Sequence, residues 1–152
     1  MKVAVACDHA GFALKADVIE AVRAGGHEPL DLGTHSTDSV DYPDFAAAAG
    51  RAVQDRRAER AIVLCGSGVG AAVVANKLTG IRAGVCHDVY SAHQAVEHDD
   101  VNVLALGARV IGPALATELV RTFLAARYIP DPRFARRLEK VAAIERERGG
   151  RG

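Results

Sequence analysis

Short apolar runs alternate along this chain with longer segments in which apolar residues recur every three or four positions. The runs are rich in β-branched residues, which predicts β-strands, and the spacing in the longer segments predicts amphipathic helices. The predicted strands are Lys2–Cys7, Glu28–Leu32, Ala61–Cys65, Arg82–Cys86 and Asn102–Leu106. The predicted helices are Phe12–Arg23, Phe45–Arg56, Val69–Leu78, Tyr90–His98 and Pro113–Ala126.

This alternation predicts the fold class. Strands separated by helices of about 10 to 15 residues are joined by right-handed crossovers and form a parallel sheet covered on both faces. We therefore predict an α/β protein, a three-layer α/β/α sandwich of Rossmann-like type with about five parallel strands. A chain of 152 residues has the usual size of one domain, so we expect a single domain over residues 1–152.

The C-terminal segment differs from the rest because no predicted strand follows it. Residues 132–148 are strongly charged but carry an apolar stripe at helical spacing, which predicts a helix. The stripe consists of Phe134, Leu138, Val141 and Ala142. We expect this C-terminal helix to pack against another subunit or against the side of the domain.

Charge and composition exclude several classes of partner. Nineteen basic residues balance nineteen acidic ones, which argues against a nucleic-acid partner. No apolar run reaches the roughly 18 residues of a membrane span, and Asp8 and His9 interrupt the short apolar N-terminus. Cys7, Cys65 and Cys86 are an odd number without a CxxC spacing, which indicates free thiols. We expect a cytoplasmic protein with no membrane partner.

Candidate chemistry gathers at the ends of three predicted strands. Ligands of open parallel sheets bind beyond the carboxyl ends of the strands. For Cys7 and Cys86 the favoured interpretation is a small buried hydrophobic side chain. Cys65 is different because glycines follow it and open a helix, and amide N–H groups at such a position favour the thiolate. The three strand ends are Cys7-Asp8-His9, Cys65-Gly66-Ser67-Gly68 and Cys86-His87-Asp88.

The glycine loop after Cys65 admits more than one interpretation. Its spacing is GxGxG, which departs from the GxGxxG of dinucleotide-binding loops, although Asp88 lies roughly where a ribose-binding acid would follow. A phosphatase-like C-x5-R loop would need arginine at Ala71, and no GxxxxGK[ST] run is present. What remains is a set of main-chain N–H groups directed at a phosphate or a developing oxyanion.

Histidines and arginines supply candidate acids and anion ligands. His98 is surrounded by carboxylates, which favours the imidazolium, so it is either an acid catalyst or a helix C-cap. Arg133 and Arg137 are four residues apart and share a helix face, where they either grip one phosphate or form a solvated charged surface. His9 and Arg109 are further anion-binding candidates. No close-spaced ligand pair favours a zinc site, so we expect no metal.

Several separated motifs, in order, resemble the family of B-type ribose-5-phosphate isomerases and galactose-6-phosphate isomerase subunits. The resemblance runs from residue 2 to about residue 147. It rests on DHAGF at 8–12, DYPDFA at 41–46, LCGSGVG at 64–70, ANKLTGIRA at 75–83, NVLALGARVIG at 102–112 and RFARR at 133–137.

The resemblance implies an aldose–ketose isomerase of the pentose phosphate pathway that needs no metal and no cofactor. Ribose 5-phosphate and ribulose 5-phosphate would interconvert through a cis-enediolate, with Cys65 as the base and Ser67 beside it. His98 would help to open the furanose ring. Main-chain N–H groups would surround the enediolate oxygens, and these belong to Gly66, Gly68, Val69 and Gly70.

The resemblance also implies the remaining binding residues and the assembly. Asp8 and Tyr42 match positions that line the sugar. The family assembles at least as a homodimer with sites built from both chains, which would explain the C-terminal helix. The phosphate-binding positions are His9, Arg109, Arg133 and Arg137.

One residue departs from the family pattern. The ring-opening histidine is usually followed by asparagine and aspartate, whereas this chain has His98-Asp99-Asp100. A carboxylate at position 99 cannot donate hydrogen bonds and repels a nearby phosphate. Either Asp99 contacts sugar hydroxyls, or the preferred substrate is another sugar phosphate, such as a tetrose, allose or galactose phosphate. A non-catalytic nucleotide- or phosphate-binding module is the alternative from a different class.

Overall fold

Five parallel strands form one sheet in the computed structural model, which describes residues 1–149. The order across the sheet is β2-β1-β3-β5-β4, so the last strand inserts between the third and the fourth. This is the parallel sheet that the alternation of strands and helices predicted. The strands are β1 Lys2–Cys7, β2 Glu28–Asp31, β3 Arg60–Cys65, β4 Ala83–Val85 and β5 Val103–Gly107.

Helices cover both faces, which confirms the predicted α/β/α sandwich. One face carries α1, α4 and α5, and the other carries α2 and α3. The C-terminal helix, α6, contacts α4. The helices are α1 Phe12–Ala24, α2 Tyr42–Gln54, α3 Val69–Ala75, α4 Val89–Asp99, α5 Pro113–Ala125 and α6 Pro132–Gly149.

The two faces of the sheet differ in side-chain size. Because side chains alternate along a strand, Ile62 and Leu64 of β3 face α1, α4 and α5, whereas Ala61, Val63 and Cys65 face α2 and α3. The inner surfaces of α2 and α3 are largely alanine. These two helices therefore pack close to the strands, and Cys65 belongs to this tightly packed side.

Element boundaries differ from the predicted ones at α2 and α3. Helix α2 begins at Tyr42, three residues before the predicted start, with Pro43 in its first turn, where a proline is tolerated. Helix α3 ends at Ala75, three residues before the predicted end. There Asn76 turns the chain toward the edge strand by hydrogen bonding both the N–H and the carbonyl of Ala83, at 2.8 and 2.9 Å.

The predicted C-terminal helix is present as α6. Its first turn is fixed by Phe134, which is buried against α4. Farther along, Val141 and Ile144 remain 53% and 61% exposed. No helix among residues 1–149 is both long enough and apolar enough to cross a membrane.

Candidate active site

A cavity of about 420 Å³ opens at the carboxyl ends of β1 and β3. The chain leaves β1 toward α1 on one face of the sheet and leaves β3 toward α3 on the other. The two connections therefore diverge, and a crevice forms between them. The predicted site residues that line it are Asp8, His9, Tyr42, Cys65, Gly66, Ser67, Gly70 and Arg109.

Cys65 is the last residue of β3 and is 5% exposed. Its Sγ accepts a hydrogen bond from the N–H of Gly68 at 3.0 Å. Gly68 can turn its amide back toward the sulfur because its backbone is left-handed, with φ of 82°, a conformation that glycine adopts without strain. The sulfur therefore has a main-chain hydrogen-bond donor in direct contact, at the edge of the cavity.

The loop after Cys65 is held by the turn that follows β5. Ala108 donates its N–H to the carbonyl of Cys65 at 2.8 Å, and Arg109 donates to that of Gly66 at 3.0 Å. A Cβ added at Gly107 would lie 2.6 Å from the Cα of Ser67, so only glycine fits beneath the loop. Gly107 was not among the predicted site residues, and its signal in the sequence is a glycine directly after a predicted strand.

The β1 end contributes Asp8 and His9. Asp8 is buried, and its Oδ1 accepts the N–H of Gly11 at 2.9 Å. The Nδ1 of His9 accepts the N–H of Val40 at 3.2 Å. With Nδ1 as the acceptor, the ring proton is on Nε2, and His9 offers that N–H as a donor to a ligand.

Tyr42 closes the pocket from the start of α2. Its ring lies against Gly70, where an added Cβ would be 2.8 Å from the Tyr42 Cε2 atom. The phenol remains partly exposed. Gly70 is also in the first turn of α3, where main-chain N–H groups have no acceptor within the helix.

The other two thiols differ from Cys65. Burial raises the pKa of Cys7 to about 11 and also raises the pKa of Cys86. Both therefore stay protonated at neutral pH, as expected for small buried side chains. All three thiols are free. Within residues 1–149, no three His, Cys, Asp or Glu side chains are grouped so as to hold a metal ion.

Four predicted site residues lie at the opposite end of the sheet. Helix α4 runs from the carboxyl end of β4 to the amino end of β5, so its last residues are far from Cys65 along the strands. There Asp100 accepts from Arg82, just before β4, with an Nη2–Oδ2 distance of 2.7 Å. The four residues at this opposite end are His98, Asp99, Arg133 and Arg137. Two more predicted site residues, Gly68 and Val69, belong to the Cys65 loop but do not line the cavity, and their N–H groups donate to Cys65 Sγ and Ser67 Oγ.

This second cluster has its own local order. The rings of His98 and Phe134 are stacked, with centroids 4.0 Å apart, and His98 Nδ1 lies 2.9 Å from the Nε2 of Gln94. Arg133 forms two hydrogen bonds of 3.0 Å with Asp131. These bonds lower the pKa of Asp131 to about 2, so the pair is ionised near neutral pH.

Comparison with known proteins adds independent information. A profile of the Ribose/Galactose Isomerase family matches residues 3–141. The chain is 42% identical over 147 residues to ribose-5-phosphate isomerase B of Escherichia coli strain K12, with 97% of this chain and 98% of that protein covered. It is 40% identical over 129 residues to D-erythrulose-4-phosphate isomerase of Pectobacterium atrosepticum, with 84% and 85% covered. Ribose-5-phosphate isomerase B of Clostridium thermocellum has a similar structure, with a TM-score of 0.93, 43% identity, and 97% and 99% coverage.

Proposed function

Because the chain belongs to the ribose/galactose isomerase family, as its motifs predicted, we propose that it interconverts D-ribose 5-phosphate and D-ribulose 5-phosphate. Family membership makes it a sugar-phosphate isomerase and leaves no support for a non-catalytic binding module. The observation that carries the proposal is the thiol of Cys65, which accepts an amide N–H at 3.0 Å and lines a pocket that also contains Arg109.

Cys65 is the proposed base. Its thiolate removes the proton from C2 of open-chain ribose 5-phosphate, and negative charge develops on the aldehyde oxygen O1. The resulting thiol returns the proton to C1, while the hydroxyl proton of O2 moves to O1 and leaves a ketone at C2. Such a proton transfer needs a base held close to the carbon, and it needs hydrogen-bond donors at the oxygen where the negative charge develops.

Main-chain N–H groups supply those donors in the proposed mechanism. Gly66 and Gly70 line the cavity with the hydroxyl of Ser67 between them in sequence. The N–H groups of Gly68 and Val69 already donate to Cys65 Sγ at 3.0 Å and to Ser67 Oγ at 3.3 Å, so they hold the base and the hydroxyl in place. Because the β5 turn holds this loop through two main-chain hydrogen bonds, the donors need little rearrangement when charge appears. Asp8 and Tyr42 line the sugar.

We propose that a second copy of the chain completes each site. His98 would open the furanose ring, and Arg133 and Arg137 would bind the phosphate together with His9 and Arg109 of the first copy. The support is their location, since one chain carries the two sets at opposite ends of its sheet. Exposed apolar side chains offer a contact surface for such a homodimer, namely Val69, Val73, Val141 and Ile144.

Adding a methyl group at Gly70 is expected to raise KM about tenfold with a smaller effect on kcat, because small displacements of positioning groups are costly. The Cβ of Gly70→Ala would meet the ring of Tyr42, which is partly exposed and can move away from the sugar without unfolding the chain. The control is Gly112→Ala, where an added Cβ meets nothing within 4 Å. Steady-state kinetics decide the matter, and an unchanged KM would contradict a role of Tyr42 at the sugar.

A tetrose phosphate is the second candidate substrate. It is favoured by Asp99, an exposed carboxylate beside His98, and by the similarity to a D-erythrulose-4-phosphate isomerase. A negative charge at position 99 opposes the phosphate of a longer substrate if the two approach each other.

A substrate panel tests the proposed function. Chelator-treated protein is expected to isomerise ribose 5-phosphate with a higher kcat/KM than erythrulose 4-phosphate, allose 6-phosphate or galactose 6-phosphate. Asp99→Asn is expected to raise kcat/KM for ribose 5-phosphate about fivefold, a change typical of a modest difference in transition-state binding. Asp55→Asn, at an exposed position after α2, is the control. No turnover on any member of the panel would overturn the proposal, and preference for the tetrose phosphate would favour the second candidate.

A further inference from the structure

Lys15 is a buried lysine in the first turn of α1, only 8% exposed. Its Nζ lies 2.9 Å from Asp31 Oδ2, 2.8 Å from the carbonyl oxygen of Thr34 and 3.1 Å from the Nδ1 of His35. An ammonium has three donors, and these three acceptors satisfy them. None of the proposed catalytic steps uses this residue.

The charge of Lys15 is matched by Asp31. Burial raises the pKa of Asp31, but the N–H of Gly33 and the ammonium of Lys15 outweigh it, so the pKa is lowered overall. The carboxylate is therefore ionised at neutral pH. It holds the turn after β2 through the 2.9 Å hydrogen bond from Gly33 to Oδ1.

Lys15 and His9 tie together the same two segments. One segment runs from the end of β1 into α1, and it contains both residues. The other is the loop 32–41 between β2 and α2, which Lys15 holds at Thr34 and His35 and which His9 holds at Val40. Between the contacts at His35 and Val40, residues 36–39 are exposed. Main-chain hydrogen bonds fasten residues 32–34 to β1, and Lys15 adds the side-chain contact that reaches His35.

We propose that Lys15 is a positioning residue for His9. Together with the main-chain hydrogen bonds to β1, its ammonium fixes residues 34 and 35 of the loop. The loop places the N–H of Val40, and that N–H orients the imidazole toward the ligand. The inference rests on the proposed function insofar as His9 binds the substrate phosphate. The contact between Lys15 and the loop is independent of what the ligand is.

The central variant is Lys15→Met, which keeps an unbranched side chain of similar length but leaves the three acceptors without their donor. We expect KM for ribose 5-phosphate to rise about tenfold and kcat to change less than threefold, because binding is lost at a group remote from the reacting carbons. The matched control is Lys2→Met. Lys2 also pairs with an acid of β2, Glu28, at 3.5 Å, but at the amino end of the sheet.

A double-mutant cycle separates positioning from general stability. If Lys15 acts through His9, Lys15→Met should raise KM less than twofold in a His9→Ala background. Asp31→Asn is the gentler variant if Lys15→Met does not fold, and it is expected to give a smaller rise in KM with the same dependence on His9. An unchanged KM in both variants, or a rise that persists fully without His9, would overturn the inference.

Amide hydrogen exchange gives a readout that needs no enzymatic activity. Lys15→Met is expected to increase the exchange rate of the Val40 N–H at least tenfold, and Lys2→Met is expected to leave it unchanged. Equal rates in both variants would refute the proposed connection even in an active enzyme. An inactive wild-type protein with faster Val40 exchange in Lys15→Met would instead count against the proposed function and support the connection.

Discussion

Cys65→Ala is expected to lower kcat by about a thousandfold or more on every sugar phosphate that the wild-type protein isomerises, in keeping with the loss of a general base. Binding should change little, because in the proposed mechanism the thiol contacts the reacting carbon and the phosphate is held elsewhere. The KM, or the affinity for a non-isomerisable sugar phosphate measured by calorimetry, is expected to stay within about threefold of wild type. Removal of a small side chain at a strand end leaves the loop's main-chain hydrogen bonds in place.

Cys86→Ala is the matched control for this experiment. Cys86 is another buried free thiol at a strand end, and its pKa is raised by burial, so it is not a candidate base. Its replacement is expected to leave kcat within about twofold, the usual range for a site outside the catalytic groups. More than a tenth of wild-type turnover in Cys65→Ala would remove Cys65 from the role of base.

Mixing two inactive variants is expected to restore activity if each site draws on two chains. Cys65→Ala and His98→Asn would each disable both sites of the proposed homodimer. In a mixed dimer, one site receives the intact Cys65 of one chain and the intact His98 of the other. About half of the dimers in an equal mixture are mixed and each has one intact site of two, so about a quarter of wild-type activity should appear.

The measurement is turnover after the two variants are co-refolded or co-expressed, compared with each variant alone. The control mixture combines Cys65→Ala with Arg109→Ala at low substrate concentration. Both residues line the same cavity in one chain, so each site of a mixed dimer lacks either Cys65 or Arg109. Activity restored equally in both mixtures, or in neither, would contradict the assignment of His98 to the second chain.

The fold could largely be predicted from the sequence because its signals are local. The apolar runs at β1 and β3 and the helical spacing of α1 and α5 depend only on which side chains are buried. The position of β5 between β3 and β4 could not be predicted, since periodicity says nothing about which strands pair. The start of α2 was predicted three residues late, at Phe45, where the run of apolar residues begins, although Tyr42 and Pro43 already belong to the helix.

The site residues that lie at the ends of strands could be predicted from the sequence. Asp8, His9 and Cys65 all lie directly at or after a strand, and the parallel sheet brings such residues together. Tyr42 came from the family resemblance alone. The connection from Lys15 through Val40 to His9 was missed because its last step is a main-chain N–H, which leaves no mark on residue identity.

The insertion of β5 between β3 and β4 has a consequence for the order of folding. β4 lies at the edge of the sheet and pairs with β5, and the loop that carries Cys65 is fastened by the turn after β5. During synthesis, a chain that ends before residue 107 therefore leaves one edge of β3 open and the amides around the thiol unanchored. Such non-local pairing forms late because loop closure must precede it. The Cys65 sulfur thus acquires its surrounding main-chain amides in fixed positions only when most of the chain has emerged and the sheet is closed.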